Sequence, residues 1–223
     1  MLVKRGMKFA DYDTAANGWT LTGWQLGNAE QKTNLVDKPS GDGSWDLSTA
    51  LTDGVLRYGD RPFEASFECS EGDRFYRDSK ISEMINSLDG VVVEIELPDD
   101  PAHYLVGRLK VVKNYSDLAH CSVTVSSTVE PWKYNRRETE IILTATTASQ
   151  TVELINNGRR AVVPTITVTG ASASVLMTYG AKSINPAEGT VKWPDLLLTP
   201  GAHSFTYSGK GSITITYREA VLE

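Results

Sequence analysis

The chain of 223 residues is long enough for one large domain or two small ones, and its 40% hydrophobic and 22% charged residues are ordinary for a globular protein. Its formal net charge of −6 disfavours binding to the DNA backbone, which needs a basic surface. No apolar run approaches the roughly 18 residues of a membrane span, and no apolar stretch of a signal peptide follows residues 1–9. We therefore expect a protein that is made in a cytoplasm and does not insert into membranes.

The first half of the chain predicts an antiparallel sheet with one helix, an α+β arrangement. The predicted strands are 19–26, 62–69, 91–97, 104–112 and one that begins at Cys121; the predicted helix is 73–88. In the strand 62–69, apolar and polar residues alternate, which is typical of a strand with one buried face. In the helix, Ile81, Met84, Ile85 and Leu88 follow helical spacing, and Gly90 stands where a C-terminal cap is expected.

Residues 39–47 predict a turn-rich loop that leads into a strand, with Gly41 and Gly43 giving backbone freedom around Asp42. A Gly-Asp-Gly loop is also found in calcium sites. The further acids and the terminal Glu of an EF-hand loop are missing at the required spacing, so a tight turn is the prediction.

A change of pattern and of charge near Pro131 predicts a domain boundary. Residues 1–130 hold 13 basic and 21 acidic residues, a net charge of −8, whereas residues 131–223 hold 9 and 7, a net charge of +2. The run from Pro131 to Tyr134 has a low propensity for a helix and for a central strand. We predict two domains, 1–130 and 131–223; the alternative is one large sandwich with a loop in its middle.

The second half predicts a β-sandwich, because short strands recur with turns between them. The predicted strands are 140–146, 151–155, 161–169, 174–179, 190–193, 204–207 and 212–217. The run 156–158 (Asn-Asn-Gly) predicts a hairpin turn, and 200–201 and 209–211 predict further turns.

No constellation for catalysis or metal binding is visible. The histidines His103, His120 and His203 are isolated, and nucleophile, phosphate and dinucleotide motifs are missing. The carboxylate pairs Asp42 with Asp46 and Glu94 with Glu96 could be proposed as a glycosidase pair, but such spacings arise in any sequence. The two cysteines, Cys69 and Cys121, lie in alternating apolar runs and are expected to be buried free thiols. We predict no catalytic residue, cofactor or metal, and a protein that is not an enzyme.

Two tryptophans support a different reading. Trp132 and Trp193 could stack on sugars at the second domain, although aromatic residues of a small sandwich are more often core. This alternative is a carbohydrate-binding accessory protein; a third reading, a fragment of a cell-wall hydrolase, lacks a convincing acid/base pair.

The order of several short motifs resembles the distal tail proteins of long, non-contractile-tailed phages that infect Gram-positive hosts. In the first half the motifs are 41–43 leading to 46–47, Tyr58, Arg61, 88–90, 99–101, Tyr104, 107–108 and 131–132. In the second half they are 156–158, Pro164, 198–201, Gly209 and the closing strand 213–217. The resemblance covers nearly the whole chain.

This resemblance implies a structural virion protein at the distal end of a tail. The first domains would form a hexameric ring with galectin-like sandwiches outside it. The ring would join the tail tube protein to the tail-associated hub protein, with receptor-binding proteins as further candidate partners. Phage DNA would pass through without specific binding.

Acidic residues of the first domain are candidates for the wall of that channel. The solvent-facing sides of the predicted strands 62–69 and 91–97 carry Glu64, Glu68, Glu94 and Glu96. An acidic wall would repel DNA phosphates during passage. The alternative is that these four are ordinary solvating charges on an outer face.

Overall fold

The computed structural model describes residues 5–52, 54–117 and 119–223. It divides into two compact units, with the boundary between Lys133 and Tyr134. Strands dominate both units, which confirms the prediction of a mainly β protein. The one helix in the described part of the chain is not long and apolar enough to cross a membrane.

The first unit is built on one antiparallel sheet. Its elements are β1 (Lys8–Phe9), β2 (Tyr12–Asp13), β3 (Thr20–Leu26), β4 (Leu35–Asp37), β5 (Ser44–Asp46), β6 (Arg61–Cys69), α1 (Arg74–Leu88), β7 (Val92–Leu97), β8 (Asp100–Ser116) and β9 (Cys121–Val129). The sheet order is β2-β1-β7-β8-β9-β6-β3, and β4 pairs only with β5. The predicted hairpin of β7 and β8 is confirmed, with the turn at Pro98 and Asp99.

The core of the first unit lies between one face of this sheet and α1. On β6, Phe63, Ala65, Phe67 and Cys69 are all buried, as their alternation predicts. Helix α1 packs against β8 and β9.

Local signals account for the helix itself. The Asp73 side chain caps its N-terminus by accepting a 2.8 Å hydrogen bond from the backbone N–H of Tyr76. Ile81, Met84 and Leu88 form the buried stripe, so the predicted helix is confirmed.

The second unit contains two long strands that each run through both layers of a sandwich. Its strands are β11 (Thr139–Ala145), β12 (Gln150–Asn156), β13 (Thr165–Tyr179), β14 (Lys182–Ile184), β15 (Gly189–Lys192), β16 (Gly201–Tyr217) and β17 (Ala220–Val221), while β10 (Lys133–Asn135) spans the boundary. One layer joins β11 and β15 to residues 211–217 of β16 and 165–168 of β13. The other joins β12 and β14 to residues 201–207 of β16 and 177–179 of β13. Apolar side chains from both layers share one core, which confirms the predicted β-sandwich.

The turn predicted at 209–211 is wrong, and so is the division of β13 and β16 into separate strands. Gly209 and Gly211 have positive φ angles of 124° and 132°, and the chain bends there without reversing. A Cβ on Gly209 would lie 2.0 Å from the carbonyl oxygen of Ser174 on β13. Only glycine allows the two bent strands to approach so closely.

The hairpin predicted at Asn156-Asn157-Gly158 is also wrong, because β12 pairs with β16 and not with the strand that follows it. Asn156 is buried and organises a loop instead. Its Nδ2 donates to the carbonyl oxygens of Arg160 (2.8 Å) and Leu198 (2.9 Å), and its Oδ1 accepts from the N–H of Gly158 (3.0 Å). The amide thus replaces the backbone partners that a hairpin would have supplied.

Candidate functional site

The four glutamates predicted to line a channel stand on the sheet face that points away from the core. Glu64 and Glu68 lie on β6, and Glu94 and Glu96 on β7. Glu64 and Glu94 are exposed, and Glu68 and Glu96 are half-buried. Since β8 and β9 lie between β6 and β7, the carboxylates form two separate pairs at the two sides of this face.

Basic and hydroxyl side chains occupy the space between the two acidic pairs. Arg108 and Lys110 on β8 are exposed on the same face. Three neighbouring strands of the sheet, β8, β9 and β6, place Lys110, Ser126 and Glu64 side by side. They line an open depression of about 480 Å³. This surface, which we call the wet face, therefore carries both charge signs. The sequence predicted its acidic residues but not its basic ones.

Glu68 has a defined partner on the wet face. Its Oε1 accepts a 3.1 Å hydrogen bond from the phenolic hydroxyl of Tyr115 on β8. Partial desolvation and this bond to an anionic acceptor both raise the pKa of Tyr115. The bond spans β9 and links β8 to β6 across the wet face.

Residues 32–52 and 54–57 belong to an arm that leaves the sheet of the first unit between two backbone hydrogen bonds. These bonds join the N–H of Lys32 to the carbonyl oxygen of Arg57 and the N–H of Gly59 to that of Glu30, both at 2.8 Å. Strands β4 and β5 form a hairpin within the arm and pair only with each other. Gly43, with a φ of 77°, occupies its turn, as the glycine-rich sequence predicts.

The arm presents large apolar side chains to solvent. They are Leu35 (61% exposed), Val36 (41%), Trp45 (51%), Leu47 (42%), Leu51 (98%) and Leu56 (40%). All residues from Gln31 to Leu47 are exposed. A soluble protein rarely leaves such a cluster uncovered, so the arm is a candidate interaction surface. Its signal in the sequence is a set of apolar residues without helical or strand period, within a stretch rich in Gly, Asp and Ser.

The short polar groups of the arm stabilise the hairpin. The Ser44 hydroxyl donates to Asp37 Oδ1 at 2.9 Å, and Asp46 Oδ1 accepts from the N–H of Ser48 at 2.9 Å. Hydrogen bonds from Ser48 lower the pKa of the Asp46 carboxyl. Asp42 and Asp46 thus lie at a turn and at a strand end. Among the described residues, no group of three or more His, Cys, Asp or Glu side chains could hold a metal.

The two tryptophans of the carbohydrate-binding alternative differ in how deeply they are buried. Trp193 is 4% exposed and packs in the core of the second unit, where its Nε1 donates to Asp195 Oδ2 at 3.2 Å. Its ring therefore presents no face to a sugar. Trp132 is half-buried and packs edge-on against Tyr58, with ring centroids 5.5 Å apart.

The histidines have local partners. His203 Nε2 lies 2.7 Å from the carbonyl oxygen of Thr199, and its Nδ1 lies 2.9 Å from the Tyr179 hydroxyl. Since a carbonyl oxygen only accepts, Nε2 donates to Thr199; in the neutral imidazole, Nδ1 then accepts from the tyrosine hydroxyl. This arrangement ties a loop to β13 and positions no nucleophile.

Comparison with solved structures finds a strong match. No family model matches the sequence, and no curated protein matches it. The structure is similar to the crystal structure of the SPP1 Dit (gp 19.1) protein, described as a paradigm of the hub adsorption apparatus in phages that infect Gram-positive hosts. The TM-score is 0.69 at 16% identity, over 96% of this chain and 98% of that chain.

A weaker match is a chain of the phage p2 baseplate in its activated conformation, with a TM-score of 0.45 at 7% identity, over 95% of this chain and 97% of that chain. The SPP1 Dit match shows a shared fold along nearly the full length of both chains. The resemblance to distal tail proteins is therefore confirmed at the level of the fold.

Proposed function

We propose that this protein is a structural component of a siphophage or prophage tail tip and forms a hexameric ring at the distal end of the tail. The observation that carries the proposal is the fold shared with SPP1 Dit over 96% of the chain. In this role the ring joins the tail tube protein to the tail-associated hub protein and, beyond it, to receptor-binding proteins. The protein is a virion component and not an enzyme.

The arm supplies the contact that closes the ring. A ring needs a head-to-tail interface, in which a surface of one subunit meets a different surface of the next. The arm projects apolar side chains that its own subunit does not cover, which suits one half of such an interface. Ring contacts thus come from the first unit, and the second units lie outside the ring.

The wet face of the first unit lines the channel in this proposal. Glu64, Glu68, Glu94 and Glu96 repel DNA phosphates, and Arg108 and Lys110 keep the net charge of this face small. A lining with both signs does not hold DNA through counterion release as a basic lining would. Passage is then fast without specific contacts.

Replacing the four glutamates by lysine tests the channel. At the exposed Glu64 and Glu94, substitutions usually change stability by about 0.5 kcal/mol or less each. Glu68 and Glu96 are half-buried, so thermal unfolding must first show that the variant is folded. DNA ejection from assembled particles should slow, and more so at low salt, where screening is weaker. A matched control converts four exposed acids of the second unit to lysine. Normal ejection of the fourfold variant at low salt would show that these glutamates lie elsewhere.

Electron microscopy of the purified protein, alone and with tail partners, tests the ring directly. Rings with a central hole support the proposal. Mass measurement across a concentration series gives the subunit number. If neither the protein nor its complexes with tail proteins exceed a dimer, the ring is refuted.

A further inference from the structure

The two cysteines face each other across two neighbouring strands. Cys69 is the last residue of β6, Cys121 is the first of β9, and the antiparallel register places them directly opposite. Both side chains point into the core, with 2% and 0% exposure, and both are free thiols in this structure.

This placement matches the geometry of a disulfide. Residues directly opposite in an antiparallel pair have Cα atoms about 4.5 or 5.5 Å apart, depending on which of the two pair types they occupy. Disulfides span Cα distances of about 4.4–6.8 Å, so either pair type is compatible. Because both side chains lie on the same face of the sheet, the strands need not rotate to join them.

We propose that Cys69 and Cys121 are an oxidative modification site, at which a small peroxide converts the thiol pair into a cross-strand disulfide. The chemistry depends on the fold alone. Its setting rests on the proposed function, because a tail component leaves the reducing cytoplasm when the host cell lyses.

The reaction balances with one peroxide per thiol pair. The sulfur of one cysteine attacks a peroxide oxygen, the O–O bond breaks, and the leaving hydroxide takes a proton to become water. The resulting sulfenic acid is attacked by the second sulfur, the S–O bond breaks, and a second water leaves. Two thiols lose two electrons to hydrogen peroxide, and the products are one disulfide and two waters.

Burial sets the rate of this reaction. Burial first, and the neighbouring Cys69 second, raise the pKa of the Cys121 thiol to about 11. The reactive thiolate is therefore scarce at neutral pH, and oxidation should accelerate about tenfold per pH unit between pH 7 and 9. Access is easiest at this end of the sheet, because the adjoining residues 70–73 are exposed.

The disulfide would reinforce a junction that Arg77 already holds. The buried guanidinium of Arg77 donates to the carbonyl oxygen of Gly72 (2.6 Å), which follows β6, and to that of Asp117 (3.0 Å), which precedes β9. A covalent link between the same strand ends closes a loop that contains α1, β7 and β8. We expect oxidation to raise the melting temperature of the first unit by about 5–10 °C.

Hydrogen peroxide treatment of the purified full chain tests the proposal without any tail assembly. The expected result is a loss of both titratable thiols, with a Cys69–Cys121 peptide pair in a non-reducing peptide map. Reductant should restore both thiols and reverse the rise in melting temperature. Ring formation is scored separately, so its failure does not affect this result.

The single variant Cys121→Val is the matched control, since valine suits the buried site. It should retain an uncrosslinked Cys69 and show no rise in melting temperature. If that variant does not fold, the peptide map of the unaltered protein alone shows whether the Cys69–Cys121 disulfide has formed. Two free thiols after a dose that oxidises the denatured protein would overturn the proposal, as would sulfinic acids or intermolecular links without the intramolecular pair.

Discussion

Replacing Trp45 by alanine should break the ring while leaving the subunit folded. The indole is 51% exposed, and a tryptophan side chain offers about 250 Å² in total, so about 125 Å² is free to be covered by a neighbour. At about 25 cal/mol per Å², covering that area stabilises each contact by about 3 kcal/mol. Removing the indole should therefore weaken the affinity of each subunit contact about a hundredfold.

The assay is sedimentation or single-particle mass measurement over a concentration series, alone and with tail partners. The midpoint of assembly should shift upward about a hundredfold for Trp45→Ala. Ile142→Ala is the matched control, because Ile142 is 67% exposed on β11 of the second unit and should leave assembly unchanged. Thermal unfolding checks that both variants fold. Assembly of Trp45→Ala within about threefold of the unaltered protein would refute the role of the arm, since that shift is well under 1.4 kcal/mol.

Three further predictions concern stability. Asn156→Ala should lower the free energy of unfolding by about 2–4 kcal/mol, because buried backbone groups lose their partners; a change below about 1 kcal/mol in urea titrations would contradict this. Burial raises the pKa of Asp100, but His103 and Lys133 outweigh it and hold that pKa below its ordinary value. A lowered carboxyl pKa contributes stability above the unfolded value near ~4 that is lost as the pH falls through the folded value, so Asp100→Asn should flatten the acid limb of the stability curve; parallel limbs would count against it. Residues 135–223 expressed alone should give a soluble β-rich domain with cooperative unfolding, and an aggregated fragment would speak against that boundary.

Patterns confined to a few neighbouring residues were sufficient to predict α1 and the strands β3, β6, β7, β8 and β9 of the first unit, but not β1, β2 or β4. The apolar residues of β6 recur with a period of two, and those of α1 with a period of about 3.6. Each period shows directly which face of the element is buried. Pairing between distant strands leaves no such local trace. The position of β9 between β6 and β8, which places Arg108 and Lys110 among the glutamates, could not be predicted from the sequence.

Glycine and asparagine misled the prediction where the tertiary structure gave them other roles. Gly-Lys-Gly at 209–211 is typical of a turn, but here it bends a continuous strand whose partner bends with it. Asn156-Asn157-Gly158 is typical of a hairpin, but the strand that precedes it, β12, pairs with β16 and not with the next strand in the chain. Within the arm, residues 39–47 were predicted only as a turn-rich loop that leads into a strand. The exposed apolar residues of the arm do not pack in the core of the first unit, so they follow no helical or strand period.

The dependence of the second unit on β16 has a consequence for its biosynthesis. Within the described residues, β11 and β12 pair with β16 and with no other strand, and Thr139 finds its partner only at Tyr217. At synthesis rates of about 5–20 residues per second, the nascent chain must wait about 4–16 s between the emergence of β11 and that of its partner. Throughout that interval β11 and β12 leave the ribosome with both edges open, a state in which crowded chains associate with one another. The yield of soluble protein should therefore respond to translation speed and to chaperone supply more strongly through these two strands than through any part of the first unit.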